Sequence, residues 1–449
     1  MTETLSEKHL KIGVFGAYGF GNMGDALLAE ASIAGMRRYL PNAEFIGVCQ
    51  QPENAKKRHG IEALSIYRQF ISPSDNSGTK PQNHDQRPAS QCEDDRNNTT
   101  LFKKVADLLK TIPPLFKFLK LVRDILKSFI AIIREIPFTL SILNNLKQFD
   151  LLVISGSGLF TEEWGGPWGF PFALFRWSLL ARLAGCKLAY MSVGGGRFKH
   201  PLTQFFCKSA INFAHYRTVR DHNTYRCLSA WGARDLSVVP DIAFSAELPT
   251  NAAAEQPSTP TVCINPISYC DPRSWNIADA ERYENYTNKL AETGKQLLQK
   301  GYALHFVPNN ITMDNPTIDD IINKIGLSPQ NQHLVSRSEV KNVGDVFQGI
   351  GGCDFVISSR FHGVVFSLMQ SKPVIALAHQ YKYSEVLKDM EQERYCLDIE
   401  AFQVPELLDL FDDLQAQEQR LSEIIGSHAA DFKKQTEQQF RKVASLALD

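Results

Sequence analysis

Short, fully apolar, β-branched runs recur along the chain, each ending in small residues and followed by a stretch with helical spacing. Runs without polar alternation read as strands buried on both faces, the pattern of a parallel sheet. The first is Lys11-Ile-Gly-Val-Phe15, followed by a glycine-rich turn from Gly16 to Gly24, a helix from about Asp25 to Leu40, and a second strand at Phe45-Ile-Gly-Val-Cys49. This is a β-turn-α-β opening of the doubly wound kind. Further strands are predicted at Leu151–Ser155, Leu188–Val193 and Tyr216–Arg220, with helical stretches at Trp177–Ala184 and His222–Trp231 between them. Between 246 and 260 the composition shifts to Ala, Pro, Ser, Thr and Gln, which reads as a linker. A second series then begins, with strands at Thr261–Asn265, Tyr302–Val307, Phe355–Ser358 and Pro373–Ala378, and a long helical run at Asp279–Lys300. The pattern predicts an α/β protein of two doubly wound Rossmann-like domains facing a cleft. They span 10–245 and 261–400, and helix-forming residues at 401–449 pack back across both.

An insertion at 72–148 interrupts the first domain. Ser72 to Thr100 is dominated by Asn, Asp, Gln, Ser and Pro and reads as a flexible loop. From Leu115 to Ile136, between Pro113-Pro114 and Pro137, apolar residues recur at helical spacing. Lys117, Lys120, Arg123, Lys127 and Arg134 occupy other faces, against only Asp124 and Glu135. Charges at that density exclude an ordinary membrane span. Two readings stay open: a basic amphipathic helix lying on an anionic membrane surface, or a long helix packing its apolar face on the domain.

Composition narrows the class. The chain has 449 residues, 43% hydrophobic and 22% charged, with room for two or three domains. A formal net charge of −1 argues against bulk nucleic-acid binding. Nine cysteines are scattered, with no C-x-x-C pair, so neither a zinc site nor a disulfide framework is signalled. The polar residues before the first strand hold no apolar signal region, so the expected setting is reducing and cytoplasmic, and the N-x-T triplets at Asn98, Asn285 and Asn310 are read as chance.

The candidate chemistry sits where strands end. Phe355-Val-Ile-Ser-Ser359 is followed by Arg360 and His362 before a helical pattern beginning at Gly363. Open α/β sheets bind ligands beyond the carboxyl ends of their strands. An arginine fork for carboxylate or phosphate beside a histidine able to carry a proton suits a small anionic substrate. The plain alternative is a capping turn whose arginine pairs with a carboxylate. The first turn contains G-x-G-x-x-G at Gly19, Gly21 and Gly24. However, the second strand ends in Gln50-Gln51 rather than an acidic residue, and no Gly-Lys-Ser/Thr follows, so both nucleotide readings are weak. Gly21, Asn22 and Asp25 then either cap the helix or touch ligand. Gly156-Ser157-Gly158 and Gly194-Gly195-Gly196 end two more strands, so together these turns suggest one lined cleft. Arg220 closes the strand Tyr216–Val219 and faces the same cleft or pairs locally with Asp221. Asp241 reads as a helix cap, and Lys382 follows the strand after the Arg360–His362 turn. The aromatic run Trp164, Trp168, Phe170, Phe172 is either core or a surface for stacking sugar rings.

These pieces, in this order, resemble the polysaccharide pyruvyl transferase family: Gly21-Asn-Met-Gly-Asp25, Asp150-Leu-Leu-Val-Ile-Ser-Gly-Ser-Gly-Leu-Phe160, Thr218-Val-Arg220-Asp221, Val239-Pro-Asp241-Ile-Ala-Phe244, Ser359-Arg-Phe-His-Gly363, and Pro373 to Lys382. The resemblance runs from about 10 to 395, outside the insertion. It implies a two-domain fold of the GT-B type and transfer of pyruvate from phosphoenolpyruvate to sugar hydroxyls as a ketal, in a cell-surface polysaccharide or its lipid-linked precursor. On that likeness Arg220 and Arg360 bind the donor's carboxylate and phosphate and His362 is the general acid. The scheme requires no metal or other cofactor. Ser157, where members often carry a third consecutive glycine, and the turn Gly194-Gly-Gly-Arg-Phe-Lys-His200 depart from the pattern. Two other readings are a nucleotide-sugar-dependent glycosyltransferase of the same fold, and a non-catalytic, membrane-associated glycan-binding protein anchored on the inner face of the membrane by 115–136.

Overall fold

The computed structural model describes residues 9–19, 21–68, 135–163, 165–196, 198–247, 259–275 and 277–449. The polar loop 72–100, all but the last two residues of the basic stretch 115–136, and Trp164 lie outside the described residues. The chain divides into two compact units, residues 1–67 with 145–449, and 68–144. The first unit holds both sheets and every candidate site residue.

Its strands form two parallel sheets. The first is ordered β3-β2-β1-β4-β5-β6-β7, from β1 (Lys11–Phe15), β2 (Glu44–Cys49), β3 (Ala63–Ser65), β4 (Leu151–Ser155), β5 (Lys187–Val193), β6 (Tyr216–Val219) and β7 (Ser237–Val238). The second is ordered β10-β9-β8-β11-β12-β13, from β8 (Thr261–Asn265), β9 (Ala303–Phe306), β10 (Val335–Arg337), β11 (Phe355–Ser358), β12 (Val374–Ala378) and β13 (Cys396–Asp398). Strands β4, β8 and β11 are buried at every position, as continuous apolar runs flanked by helices on both faces should be. In each sheet the order reverses once, between β1 and β4 and between β8 and β11. Those reversals leave a crevice at the strands' carboxyl ends, and the glycine turns and Arg360 stand there.

One hydrophobic core runs from β1 through the helix Met23–Tyr39 to the helices Phe361–Met369 and Glu418–Leu448, so both sheets share it. A second core fills the far side of the second sheet, where Phe411 of the helix Val404–Ala416 packs edge-on against Tyr302 and Phe355. The last helix returns to the first sheet. Phe440 lies against Gly35, where any side chain would collide with its ring. Gln439, 1% exposed, accepts from the Thr218 hydroxyl and donates to Ser192 Oγ at 2.9 Å. Ser192 sits at the register shift of β5 with φ +50°, a conformation fixed by those bonds.

Replacing Gln439 by Ala should therefore strand buried hydroxyls at β5 and β6 and cost about 1–3 kcal/mol. Urea denaturation reads this as a lower midpoint, and an unchanged midpoint would mean water replaces the amide.

Candidate active site

The helix Met23–Tyr39 begins two residues before the predicted start. Asn22 is its N-cap, accepting from Gly24 N at 3.1 Å and donating to Asp25 Oδ2 at 2.7 Å. Asn22 also bridges to Asn310, and Met23 N donates to the Asn309 carbonyl at 3.0 Å, which ties this helix start to the loop after β9. Asn22 is thus spent on capping and on joining the two sheets. Gly21 has φ +70° and open space around it. Asp25 accepts from Ser157 Oγ at 2.8 Å, and burial raises its carboxyl pKa against that bond and the charges of Lys382 and Arg220. Gly156 and Ser157 both have positive φ, +50° and +57°. A serine held in that region is strained by about 1–3 kcal/mol, and the bond to Asp25 offsets part of it.

The helix Phe361–Met369 likewise starts earlier than Gly363. Arg360 is its N-cap residue and His362 lies in its first turn, not in a free loop. The helix thus takes in the ring of Phe361. The guanidinium of Arg220 lies over it at 4.7 Å from the centroid and the Lys382 ammonium at 5.1 Å. Arg220 and Arg360 therefore meet one motif from opposite sheets. His362 is 8% exposed and packs on the start of the helix Met23–Tyr39, where a Cβ on Gly24 would collide with Nδ1. Burial pushes the imidazole down to about 3, Asp241 opposes this, and Arg220, Lys382 and Arg360 reinforce it.

Both arginines are already paired. Arg360 is held by both oxygens of Asp314, which is fully buried and also accepts the Asn309 and Asn310 amides at 3.0 and 2.7 Å. Arg220 donates to Asp241 Oδ2 at 2.8 Å and has Asp221 at 3.9 Å, so its charge persists although burial works against it. Asp241 caps the turn Ile242–Ser245 as the sequence predicts, and Arg220 takes its other oxygen. Gly194 clears the space for Arg220, since a Cβ there would collide with Nε. The Gly195 amide is not free for a ligand, because it donates to Thr224 Oγ1 at 2.9 Å. Lys382 makes no hydrogen bond to the described residues. Burial and Arg220 lower it to about 8, while Glu163 and Asp25 oppose.

Two buried atoms here, Arg220 Nε and His362 Nε2, have no hydrogen-bond partner among the described residues. A small cavity beside Arg220 is lined by Asp221, Asp241, Phe361, Lys382 and Asp389 among others, and His362 is not in its lining. The site thus gathers Asp25, Ser157, Arg220, Arg360, His362 and Lys382. It leaves Gly21, Asn22 and Gly195 as spacing and joining residues. Sequence reasoning missed Asp314 and the pairing role of Asp241. Of the aromatic run, Trp168 is 63% exposed and packs edge-on against Phe172 and Phe206, while Phe170 is buried.

Because His362 titrates lower in the folded chain than in the unfolded one, the unfolded chain binds the extra proton, and stability is lost as pH falls below about 6.5. Its expected share is a slope of up to about 1.4 kcal/mol per pH unit between pH 6 and 4. Urea midpoints across that range should drop less steeply in His362→Gln, and parallel slopes would contradict a buried neutral imidazole.

The fold matches solved structures at low sequence identity. The S. aureus MnaA–UDP structure shares 12% identity over 93% of this chain and 90% of that one, at a TM-score of 0.51. The Neisseria meningitidis UDP-GlcNAc 2-epimerase bound to UDP-GlcNAc shares 10% over 96% and 98%, at 0.52. A Rickettsia africae glycosyltransferase shares 10% over 99% of both, at 0.53. These likenesses place the fold in the two-domain Rossmann-like GT-B class. No curated protein matches the sequence. The family profile described as polysaccharide pyruvyl transferase matches residues 22–381, from the cap of the first helix to the residue before Lys382, and the chain belongs to that family.

Proposed function

We propose that the protein transfers the pyruvyl group of phosphoenolpyruvate to hydroxyls of a sugar in a cell-surface polysaccharide or its lipid-linked precursor, forming a ketal. The observation that carries this reading is a pair of buried nitrogens without a hydrogen bond among the described residues, Arg220 Nε, which has Asp221 Oδ2 at 3.9 Å, and His362 Nε2, with Lys382 over the same Phe361 ring as Arg220. Two helix N-termini, at Met23 and Phe361, meet at the same place, and both favour negative charge. A small polyanion fits this environment. His362 gives a proton to the donor's methylene carbon. The adjacent carbon becomes oxocarbenium-like, the first sugar hydroxyl attacks it, phosphate leaves with its bridging oxygen, and a second hydroxyl closes the ketal. One hydroxyl proton replaces the one His362 gave, and the other departs with phosphate. The membrane-surface reading of 115–136 rests on the sequence alone.

The charge balance bears on how the donor is held. Arg220, Arg360 and Lys382 face five carboxylates, Asp25, Glu163, Asp221, Asp241 and Asp314. The arginines are oriented by that pairing but are not surplus charge. A trianionic donor therefore favours proton uptake, by Lys382, which is partly neutral near pH 7.5, and by His362, which is neutral in the free chain. Isothermal titration of phosphoenolpyruvate in buffers of different ionisation enthalpy should show about one proton taken up at pH 7.5, and less in His362→Gln. Zero uptake in the wild type would exclude His362 as the acid in the bound complex.

The direct test is incubation with phosphoenolpyruvate and a panel of pyranosides, following phosphate release and a pyruvyl mass increment. His362→Ala should lose about 100- to 10,000-fold in rate. No product with any acceptor, and no donor binding, would move the nucleotide-sugar glycosyltransferase reading into its place.

A further inference from the structure

Beyond the carboxyl ends of β8 and β12, the two neighbours of β11, three rings stand together. Tyr269 and Trp275 follow β8 and His379 follows β12, with centroids 5.7 to 6.0 Å apart in each pairing. Arg360 stands at the end of β11, between them. The His379 ring is 5.3 Å from that of Tyr383, which is 5.6 Å from Phe361, the ring beneath Arg220 and Lys382. His379 is therefore linked to the Arg220–His362 centre through two rings, Tyr383 and Phe361.

Its tautomer follows from its partner. The Tyr383 hydroxyl has one proton and donates it to the Ser359 carbonyl at 2.7 Å, both groups buried. At the 3.3 Å contact between Tyr383 Oη and His379 Nδ1, the hydroxyl must then accept and Nδ1 must donate. Nε2 is left with its lone pair, and it has no hydrogen-bond partner among the described residues. Burial pushes this imidazole down to about 3, with Lys382 and Arg360 reinforcing, so the ring is neutral. Those two cations are the ones a bound donor would offset.

We propose that this cluster is the acceptor subsite: Trp275, backed by Tyr269, stacks against a pyranose ring, and His379 Nε2 takes the proton of the attacking hydroxyl. The inference rests on the pyruvyl-transfer reading. The bond that forms joins the hydroxyl oxygen to the donor's central carbon. The hydroxyl's O–H bond breaks with its proton passing to Nε2, and the donor carbon has already gained its proton from His362. No oxidant, reductant or further reactant is needed. Aromatic faces with a polar group at their edge suit a sugar's apolar face and its equatorial hydroxyls.

The test compares wild type, His379→Gln, His379→Ala and Trp275→Ala, using phosphoenolpyruvate with gluco-, galacto- and manno-configured pyranosides. His379→Gln keeps a donor for Tyr383 but has no base, and its kcat should fall about 100- to 10,000-fold with the Kd for phosphoenolpyruvate unchanged by calorimetry. Added imidazole should restore part of the rate to His379→Ala. Trp275→Ala should raise the acceptor KM about tenfold with kcat little changed. Wild-type kcat in His379→Gln, or loss of donor binding together with rate and no imidazole rescue, would overturn the assignment and leave His379 a packing residue. A wild type inactive with every pyranoside would overturn the transfer reading itself, and this inference with it.

Discussion

The bare backbone at Gly24, against which His362 packs, is the contact on which the rest of the site depends. It brings the start of the helix Met23–Tyr39 onto the first turn of the helix Phe361–Met369, so the two sheets meet through their ligand-binding edges. Any side chain at 24 would collide with the imidazole. The same closeness strips His362 of water and sets it at the positive ends of two helices, and both effects disfavour its proton. The neighbouring tie, Asn22 and Met23 to Asn309 and Asn310, fixes the approach with backbone bonds instead of mobile side chains. In the proposed reaction the acid is thus built in its uncharged state, and the substrate's own charge is what loads it.

Burying three cations in such a place is expensive unless each has a partner, and removing one partner of a buried pair commonly costs several kcal/mol. Asp314 and Asp241 meet that requirement for Arg360 and Arg220, and each does a second task. Asp314 also accepts the amides of Asn309 and Asn310, so Arg360, at the end of β11, is referenced to the loop after β9. Asp241 also caps the turn Ile242–Ser245, so Arg220 is referenced to the segment that follows β7. Lys382 has no hydrogen-bond partner among the described residues, and burial, then Arg220, depresses its pKa against Glu163 and Asp25. On the proposed reading, two fixed forks and one adjustable ammonium make a preorganised anion site whose orientation precedes binding.

The parts of this arrangement legible in the sequence were those decided locally. β1, β4, β8 and β11 announced themselves as continuous β-branched runs and Asp241 as a cap, while Asn22 reads as either cap or ligand contact and proves to be the cap. The two- and three-residue edge strands β3, β7, β10 and β13 did not, because so few residues carry no periodicity and their pairing is imposed by the sheet. The start of the helix at Phe361 was misplaced because Gly363 looks like a boundary. Phe361, whose ring meets the Arg220 and Lys382 cations across the fold, is already helical. Asp314 and Gly24 were invisible as site residues because each acts on a residue dozens or hundreds of positions away. His379 did carry a signal, a histidine three residues before Lys382 at a strand's end, and it is the tyrosine beside it that turns that signal into chemistry.

Moving protons from two hydroxyls to a carbon and a phosphate requires one group able to give a proton and another able to take one, at a single site and at a single pH. Two imidazoles in like surroundings would titrate together and defeat this. Here both are neutral for the same first reason, burial, and both feel Arg360 and Lys382. They differ in what else faces them. His362 has Asp241 and Arg220 in reach, packs against two helix starts and leaves Nε2 buried and unpartnered, so a phosphate arriving there raises its pKa most. His379 is held by Tyr383 in the tautomer that leaves Nε2 a lone pair, and its other neighbours are rings. On the proposed reading the donor's charge protonates one imidazole more than the other, and that difference, created by the substrate, separates acid from base.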